Sequence, residues 1–378
     1  MYPLSPLNVP SRLGIGPMSA NCVDAVIEVA ARNNQRIMLI PSRRQVEWKA
    51  LGGGYVEGWT AADLVAYVRE RDRDRLVLVC RDHGGPWQHP DERSMDEDEA
   101  MLSCLRSFKE DLASGFDLLH IDTCLERDGV ASTGDAIDRL VGLYAEIYAH
   151  ASALDRQVMF EIGFEDQSVD TNDPREFRAQ ISEVSRRLYS AGLPRPTFIV
   201  AQTATKVRET ENCGALTLAP SAVGHTIREL AEICHTFGSA LKSHNADYLP
   251  ASALHDLAVN GVSALNVAPE FGVVETRALL GLMNEAGLTR QREEFLALAF
   301  ESGLWRKWMK HDTTATDDDR AVIAGHYVFG TEEFSEIKKE VEYACRNDSN
   351  TVDDRLRAAV EAAIQHYLSH FKTPVHVG

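Results

Sequence analysis

Eight short apolar runs, at 13–17, 36–40, 76–80, 118–123, 158–164, 197–202, 240–244 and 264–267, recur along the chain with helix-sized stretches between them. A run this short and this apolar reads as a strand covered on both faces. Several intervening stretches carry helix-start chemistry: 20–33 with Asn21 as a cap, 60–71 with Thr60 as a cap followed by Asp63, and 173–190 with Asp173 ahead of Pro174. Eight strands in strict alternation with helices predict a closed (β/α)8 TIM barrel rather than a doubly wound open sheet. At 378 residues the chain is longer than such a barrel needs, since eight βα units use roughly 250 residues. Beyond residue 279 the strand pattern stops, 290–309, 331–345 and 352–371 have helical periodicity, and 313–320 is a polar acidic break. The expected division is a barrel over 1–279 and a helical C-terminal extension over 280–378.

The formal charge of -18 and a pI near 5.2 argue against a nucleic-acid or anionic-membrane partner, because both need clustered Lys and Arg. Seven cysteines lie scattered without C-x-x-C spacing; an odd number cannot all pair within one chain, and free thiols fit a reducing compartment. The start, Met1-Tyr2-Pro3-Leu4-Ser5-Pro6, has neither a basic region nor an apolar core, and no run approaches the ~18 apolar residues of a membrane helix. A cytoplasmic protein is expected.

Barrels of this kind gather their chemistry at the C-terminal ends of the strands. The third run ends in Arg81-Asp82-His83-Gly84-Gly85-Pro86, which puts a carboxylate and an imidazole at such an end. The other ends offer Ser19 and Asn21, Ser42 and Gln45, His120 and Asp122, Glu161 and Glu165, Gln202, Lys242 and His244, and Asn266 and Glu270. Imidazoles, an amide and carboxylates converging on one mouth suit a divalent transition metal, and a catalytic zinc takes three protein ligands while keeping one position open. His83 and His244 are expected as metal ligands, with Glu165 or Gln202 as the third. Asp82, Asp122 and Glu165 are the candidates for acid–base work, and Ser19, Gln45, His120, Lys242, Asn266 and Glu270 for contacts to substrate.

Lys242 and His244 are two residues apart and share a strand face. A lysine inside a barrel needs an anionic partner, here Glu165, Glu270 or a substrate phosphate; Schiff-base chemistry is the alternative use of that amine. The turns after the last two runs are poor in glycine, so a phosphate-binding turn is not evident there. The loop Gly52-Gly53-Gly54-Tyr55 reads equally as a lid over the mouth or as a tight surface turn. Trp305, Trp308 and Met309 cluster in the tail, as an interface or as the tail's own core.

With these residues placed, the chain resembles the accessory-subunit family of class II tagatose-bisphosphate aldolases, a group that also has sugar-epimerase-like members. The resemblance runs from about Leu13 to Phe371. It rests on Gly14-Ile15, Ser19-Ala20, Gln45, Gly53-Gly54-Tyr55, Thr60-Ala61-Ala62-Asp63-Leu64, Asp82-His83 with Gly85-Pro86, and His120-Ile121-Asp122. Ile162-Gly163 with Glu165, Gln202, Ser243-His244, Asp247-Tyr248 and Trp305-Arg306-Lys307 continue it in order. The more distant resemblance, to zinc-dependent class II aldolases, implies that His83 and His244 hold metal and that Asp82 is the general acid/base. Gln202 stands where those aldolases place another histidine, which weakens zinc and leaves manganese or magnesium open. Lys242 stands where the accessory family usually has glutamate and Arg81 where it usually has glycine, implying a more positive mouth and a more anionic substrate.

Two functions follow. One is a metal-dependent aldolase or epimerase acting on a ketose, a ketose phosphate or a keto sugar acid through an enediolate and a retro-aldol step. The other is a non-catalytic accessory subunit that stabilises a class II tagatose-bisphosphate aldolase; the expected protein partner is such an aldolase subunit or a further copy of the chain in a homo-oligomer. Retention of so many polar groups at one mouth favours the enzyme, because a purely structural subunit has no need of them.

Overall fold

The computed structural model describes residues 7–164 and 169–372. All eight predicted runs form strands: β1 (Leu13–Ile15), β2 (Ile37–Leu39), β3 (Val77–Gly84), β4 (Leu118–Ile121), β5 (Met159–Gly163), β6 (Phe198–Val200), β7 (Ala240–Ser243) and β8 (Ala264–Val267). They form a closed parallel barrel, in which Leu13 pairs with Leu265 and Ile15 with Val267 to join the first strand to the last. The sheet therefore has no free edge. Outside the strands lie α1 (Ala20–Asn33), α2 (Ala61–Arg71), α3 (Glu97–Ser114), α4 (Thr133–Ala153), α5 (Pro174–Ser190), α6 (Pro220–Thr236), α7 (Ala251–Val259) and α8 (Pro269–Glu285).

The helix starts follow the side-chain chemistry at their first turns. Thr60 and Asp63 form a reciprocal capping box on α2, and Asp173 caps α5 ahead of Pro174. On α1 the cap is Ser19, whose Oγ accepts from Cys22 N at 3.0 Å, and not Asn21. Asn21 is already helical and spends its amide on Glu275 and Asp353.

The barrel interior is layered, and strand parity explains the layers. Met38, Cys80, Leu118, Phe198, Ala240 and Ala264 form a buried apolar cluster. Side chains two residues further along a strand point to the same face, and on β3, β4, β7 and β8 those are Asp82, His120, Lys242 and Asn266. On β5, Met159 packs against the apolar cluster and Glu161 follows two residues later. An apolar floor thus carries a polar layer toward the open end. Residues of the opposite parity face the helices, which is where Arg81 goes. Its guanidinium pairs with Asp111 of α3 behind the barrel wall, fully buried, so the expected positive charge of Arg81 at the mouth is absent.

The extension adds α9 (Thr289–Glu301), α10 (Asp317–Ala324), α11 (Glu332–Ala344) and α12 (Val352–His370). Helix α8 runs continuously across residue 279, and its Leu279, Leu282 and Met283 join Phe295, Phe334, Val341 and Leu356 in a second core. Helix α12 instead returns to the barrel, where Val360, Ile364 and Tyr367 enter the main core. The segment around Trp308 meets the hairpin of Val207–Arg208 and Glu211–Asn212 that follows β6, with Glu209 N donating to Trp308 O at 2.7 Å. Tyr55 meets Tyr327 edge to face at 4.8 Å. Gly52 and Gly53 turn with φ of 85° and 76°, and Gly54 lies so close to the Gln45 carbonyl that a Cβ would sit 2.0 Å from its oxygen. The glycine run is therefore a tight turn that seats Tyr55. The cysteines form no disulfide among the described residues. Among the described residues no helix is long and apolar enough to cross a membrane.

Candidate active site

Strand β3 ends irregularly. Its pairing with β4 shifts register between Arg81 and Gly84, and His83 takes the left-handed conformation at φ 44°. A non-glycine residue rarely adopts that backbone, and a bulge re-aims the side chains it carries. Other non-glycine residues with positive φ follow β6 and β7: Ala204, Asn245 and Tyr248. Such conformations concentrate where surrounding structure over-determines them, commonly at functional sites.

The re-aimed ring of His83 lies between two partners. Its Nδ1 is 2.7 Å from Asp122 Oδ2, and its Nε2 is 3.2 Å from His244 Nδ1. His244 Nε2 in turn lies 3.1 Å from Glu161 Oε1 and 3.0 Å from Asn266 Nδ2, which also donates to Asp82 Oδ1 at 2.9 Å. His120 Nδ1 accepts from His83 N at 3.3 Å and stands 3.5 Å from Glu161 Oε1. His83, His120 and His244 can each offer a ring nitrogen within 4.8 Å of the others, and in a second group the ring nitrogens of His120 and His244 and a carboxylate oxygen each from Asp82 and Glu161 lie equally close. The third imidazole is therefore His120, expected only as a substrate contact. Gly163 makes room for it, since a Cβ there would stand 2.7 Å from His120 Nε2.

Three imidazoles beside carboxylates are a fitting donor set for a divalent transition metal. The 3.2 Å between His83 Nε2 and His244 Nδ1 is close to the roughly 3.3 Å edge of a tetrahedron whose metal–nitrogen bonds are about 2.0–2.1 Å. Asp122 and Gln88 extend the set outward: Gln88 Nε2 donates to Asp122 Oδ2 at 2.8 Å, and Asp122 fixes the His83 ring. A carboxylate behind a ligating histidine sets its tautomer and raises its basicity.

Electrostatics keep the carboxylates charged. Burial alone would raise the Asp82 carboxyl, but the charges of His83 and His244 and the nearby His120 outweigh it and hold it well below the usual range. Burial opposes ionisation of Asp122 too, and its bond to His83 overcomes that. Glu161 is likewise pulled down to about 2, against burial, by Lys242, His120 and His244.

The remaining predicted residues divide sharply. Gln45 lines the cavity, with Nε2 donating to Pro17 O and Oε1 accepting from Ser42 N. Gln202 also lines it; its Nε2 donates to Thr205 O at 2.9 Å, its buried Oε1 has no hydrogen-bond partner among the described residues, and it is outside both ligand groups. Asn266 touches Asp82 and His244 directly. Lys242 does share the interior face with His244, but its ammonium pairs with Glu161 at 2.7 Å and not with Glu270, and it is outside the cavity lining. Ser19 is a helix cap bonded to Glu275 at 2.5 Å, outside the cavity lining. Glu270 accepts from Tyr248 N and from the Tyr367 hydroxyl, also outside that lining. Glu165 lies outside the described residues.

A cavity of about 430 Å3 opens over the cluster, lined by Asp82, His83, His244 and Asn266 from the strand ends and by Lys307, Trp308 and Tyr327 from the extension. The part played by the extension was not visible in the strand-end pattern, although Trp305-Arg306-Lys307 had marked the segment.

No protein-family description matches the sequence. No curated protein matches it either. Solved structures do. A probable tagatose 6 phosphate kinase from Sinorhizobium meliloti 1021 is similar over 95% of this chain and 100% of its own, with a TM-score of 0.77 and 18% identity. A fructuronate-tagaturonate epimerase from Cohnella laeviribosi is similar over 98% of this chain and 82% of its own, with a TM-score of 0.61 and 12% identity. A fructose-bisphosphate aldolase from Campylobacter jejuni covers 96% of this chain and 91% of its own, with a TM-score of 0.53 and 10% identity. At these identities the likeness is one of fold: the expected resemblance to aldolase and sugar-epimerase barrels holds over nearly the whole chain, the extension included.

Proposed function

We propose that the cavity is the active site of a divalent-metal-dependent aldolase or epimerase acting on a ketose or an oxidised or phosphorylated ketose. The observation that carries this reading is the convergence of His83, His120 and His244 within 4.8 Å of one another at the open end of the barrel. His83, His120 and His244 would hold the ion, with Glu161 beside them, and zinc suits that set best. Such an ion supplies electrophilic polarisation of a carbonyl oxygen. The aldolase and the epimerase among the structural neighbours support the same class of chemistry.

Asp82 is the proton-transfer group in this reading. Asn266 occupies its Oδ1, which orients the carboxylate and leaves Oδ2 for the substrate. Taking the proton from the hydroxyl β to the carbonyl breaks the adjacent C–C bond, leaving an aldehyde and an enediolate. Re-addition to the other face of the aldehyde, with the proton returned by Asp82, gives the epimer; release of the fragments gives the aldolase reaction. The buried, unpartnered Gln202 Oε1 is an acceptor for a sugar hydroxyl.

Elemental analysis of wild type, His83→Ala and His244→Ala is the test. About one divalent ion per chain in the wild type and little in either variant is expected. Equal, negligible metal in all three overturns the reading and leaves the non-catalytic subunit as the better one.

A further inference from the structure

A chain with a formal charge of -18 gathers cations on the wall of this same cavity. Arg43, Arg44, Lys206, Arg208 and Lys307 line it, against Asp82 and Asp247. Arg43 is spent on Glu47 and Glu92. Arg44 and Lys307 are not spent: the charges acting most on Lys307 are those of Arg44 and Arg93, and those acting most on Arg44 are Arg93 and the tyrosines 327 and 55. Among the described residues neither has a carboxylate partner. Crowding like charges is unfavourable unless something offsets it.

Aromatic rings, not acids, hold the lysine in place. The Lys307 ammonium lies 4.5 Å from the Trp308 ring centroid and 5.6 Å from that of Tyr327. Trp308 Nε1 donates to the Tyr327 hydroxyl at 3.1 Å, and Tyr55 braces Tyr327 from the glycine turn. Such a platform positions a cation without neutralising it. Burial against these rings, then repulsion from Arg44 and Arg93, pulls the Lys307 amine downward. The residue still opens on the cavity, and water there screens part of both effects.

We propose that Arg44 and Lys307 form an anion subsite for a phosphoryl or carboxylate group carried by the substrate, supplied jointly by the loop after β2 and by the C-terminal extension. The inference rests on the reading of the cavity as a sugar site, and it moves the substrate-charge argument from Lys242, whose ammonium is taken by Glu161, to residues that are free to bind. A guanidinium offers paired donors to either anion, and the lysine adds a point charge.

Calorimetric titration of the full chain with inorganic phosphate, and separately with glycolate, tests it. The proteins compared are wild type, Arg44→Gln, Lys307→Met and Lys307→Arg, each first checked for folding by circular dichroism. Arg44→Gln and Lys307→Met should bind roughly tenfold or more weakly than wild type, and Lys307→Arg should restore binding. Preference for phosphate identifies a phosphoryl source, and preference for glycolate a carboxylate source. Folded Arg44→Gln and Lys307→Met proteins that bind both anions like wild type overturn the subsite, as does a wild type that binds neither at millimolar concentration. A wild type that binds the anions through Arg44 and Lys307 yet carries no metal would fail the enzyme reading alone.

Discussion

The Lys242 ammonium stands 2.7 Å from Glu161 Oε2 inside the barrel, with both side chains about 1% exposed. The same carboxylate reaches His244 and His120 through its other oxygen, so the lysine fixes the position and charge of a group at the heart of the candidate metal site. Removing one partner of a buried pair strands the other. Lys242→Met should cost about 3–5 kcal/mol, measured by urea unfolding, and adding Glu161→Gln should recover most of it. A Lys242→Met protein as stable as wild type would show the pair to be dispensable.

Asp82→Asn should preserve folding and metal content while lowering turnover about 10²–10⁴-fold, because the amide can still accept from Asn266 but cannot take a proton. The measurement is steady-state kinetics on ketoses, ketose phosphates and keto sugar acids, with metal content determined in parallel. Wild-type turnover by this variant would remove Asp82 from the chemistry.

Asp122 holds the His83 ring at Nδ1. Its replacement by alanine should lower metal affinity about ten- to hundredfold, read by competition with a chelating dye on protein shown by circular dichroism to be folded. Unchanged affinity would mean that the bulged backbone alone aims the imidazole.

Glu275 supplies a pH signature far from the metal cluster. Burial, the dominant influence, raises its carboxyl to about 7, although hydrogen bonds from Ser19 and Asn21 oppose the rise. A carboxyl raised in the folded state stabilises fully below its unfolded value, and that contribution is lost as pH climbs through the folded value. Stability of the wild type should therefore fall between about pH 4.5 and 7 by an amount on the order of 3 kcal/mol. Glu275→Gln should flatten that slope in denaturation curves taken across the window; an unaltered slope would place the titration on another group.

The barrel was legible because alternating apolar runs leave few topologies, and Asp82 and His83 were legible because they terminate one of those runs. Partnerships were not. Whether Arg81 faces the mouth or the helices depends on strand parity at a bulge, and the structure sends it to Asp111. Lys242 finds Glu161 across the barrel interior, a contact set by closure rather than by any local pattern. Ser19 carries the chemistry of a strand-end residue and of a helix cap alike; the Cys22 amide claims it as a cap. Arg44 and Lys307 are 263 positions apart, and only the return of the extension to the mouth brings them near each other.

That return has a consequence for how the chain matures. Asn21 of the first helix bonds to Asp353, and Arg32 at its end to Glu361, while α12 completes the packing around the barrel. These contacts join residues 332 and 329 positions apart, and contacts of such long range carry a large loop-closure entropy and form late. During synthesis all eight strands emerge before the residues that cover the first helix, so a ribosome-bound chain must hold an incompletely covered barrel until α12 emerges. The last helix works as the closing stave of the cask, and the segment that walls the cavity is put in place on the way to it.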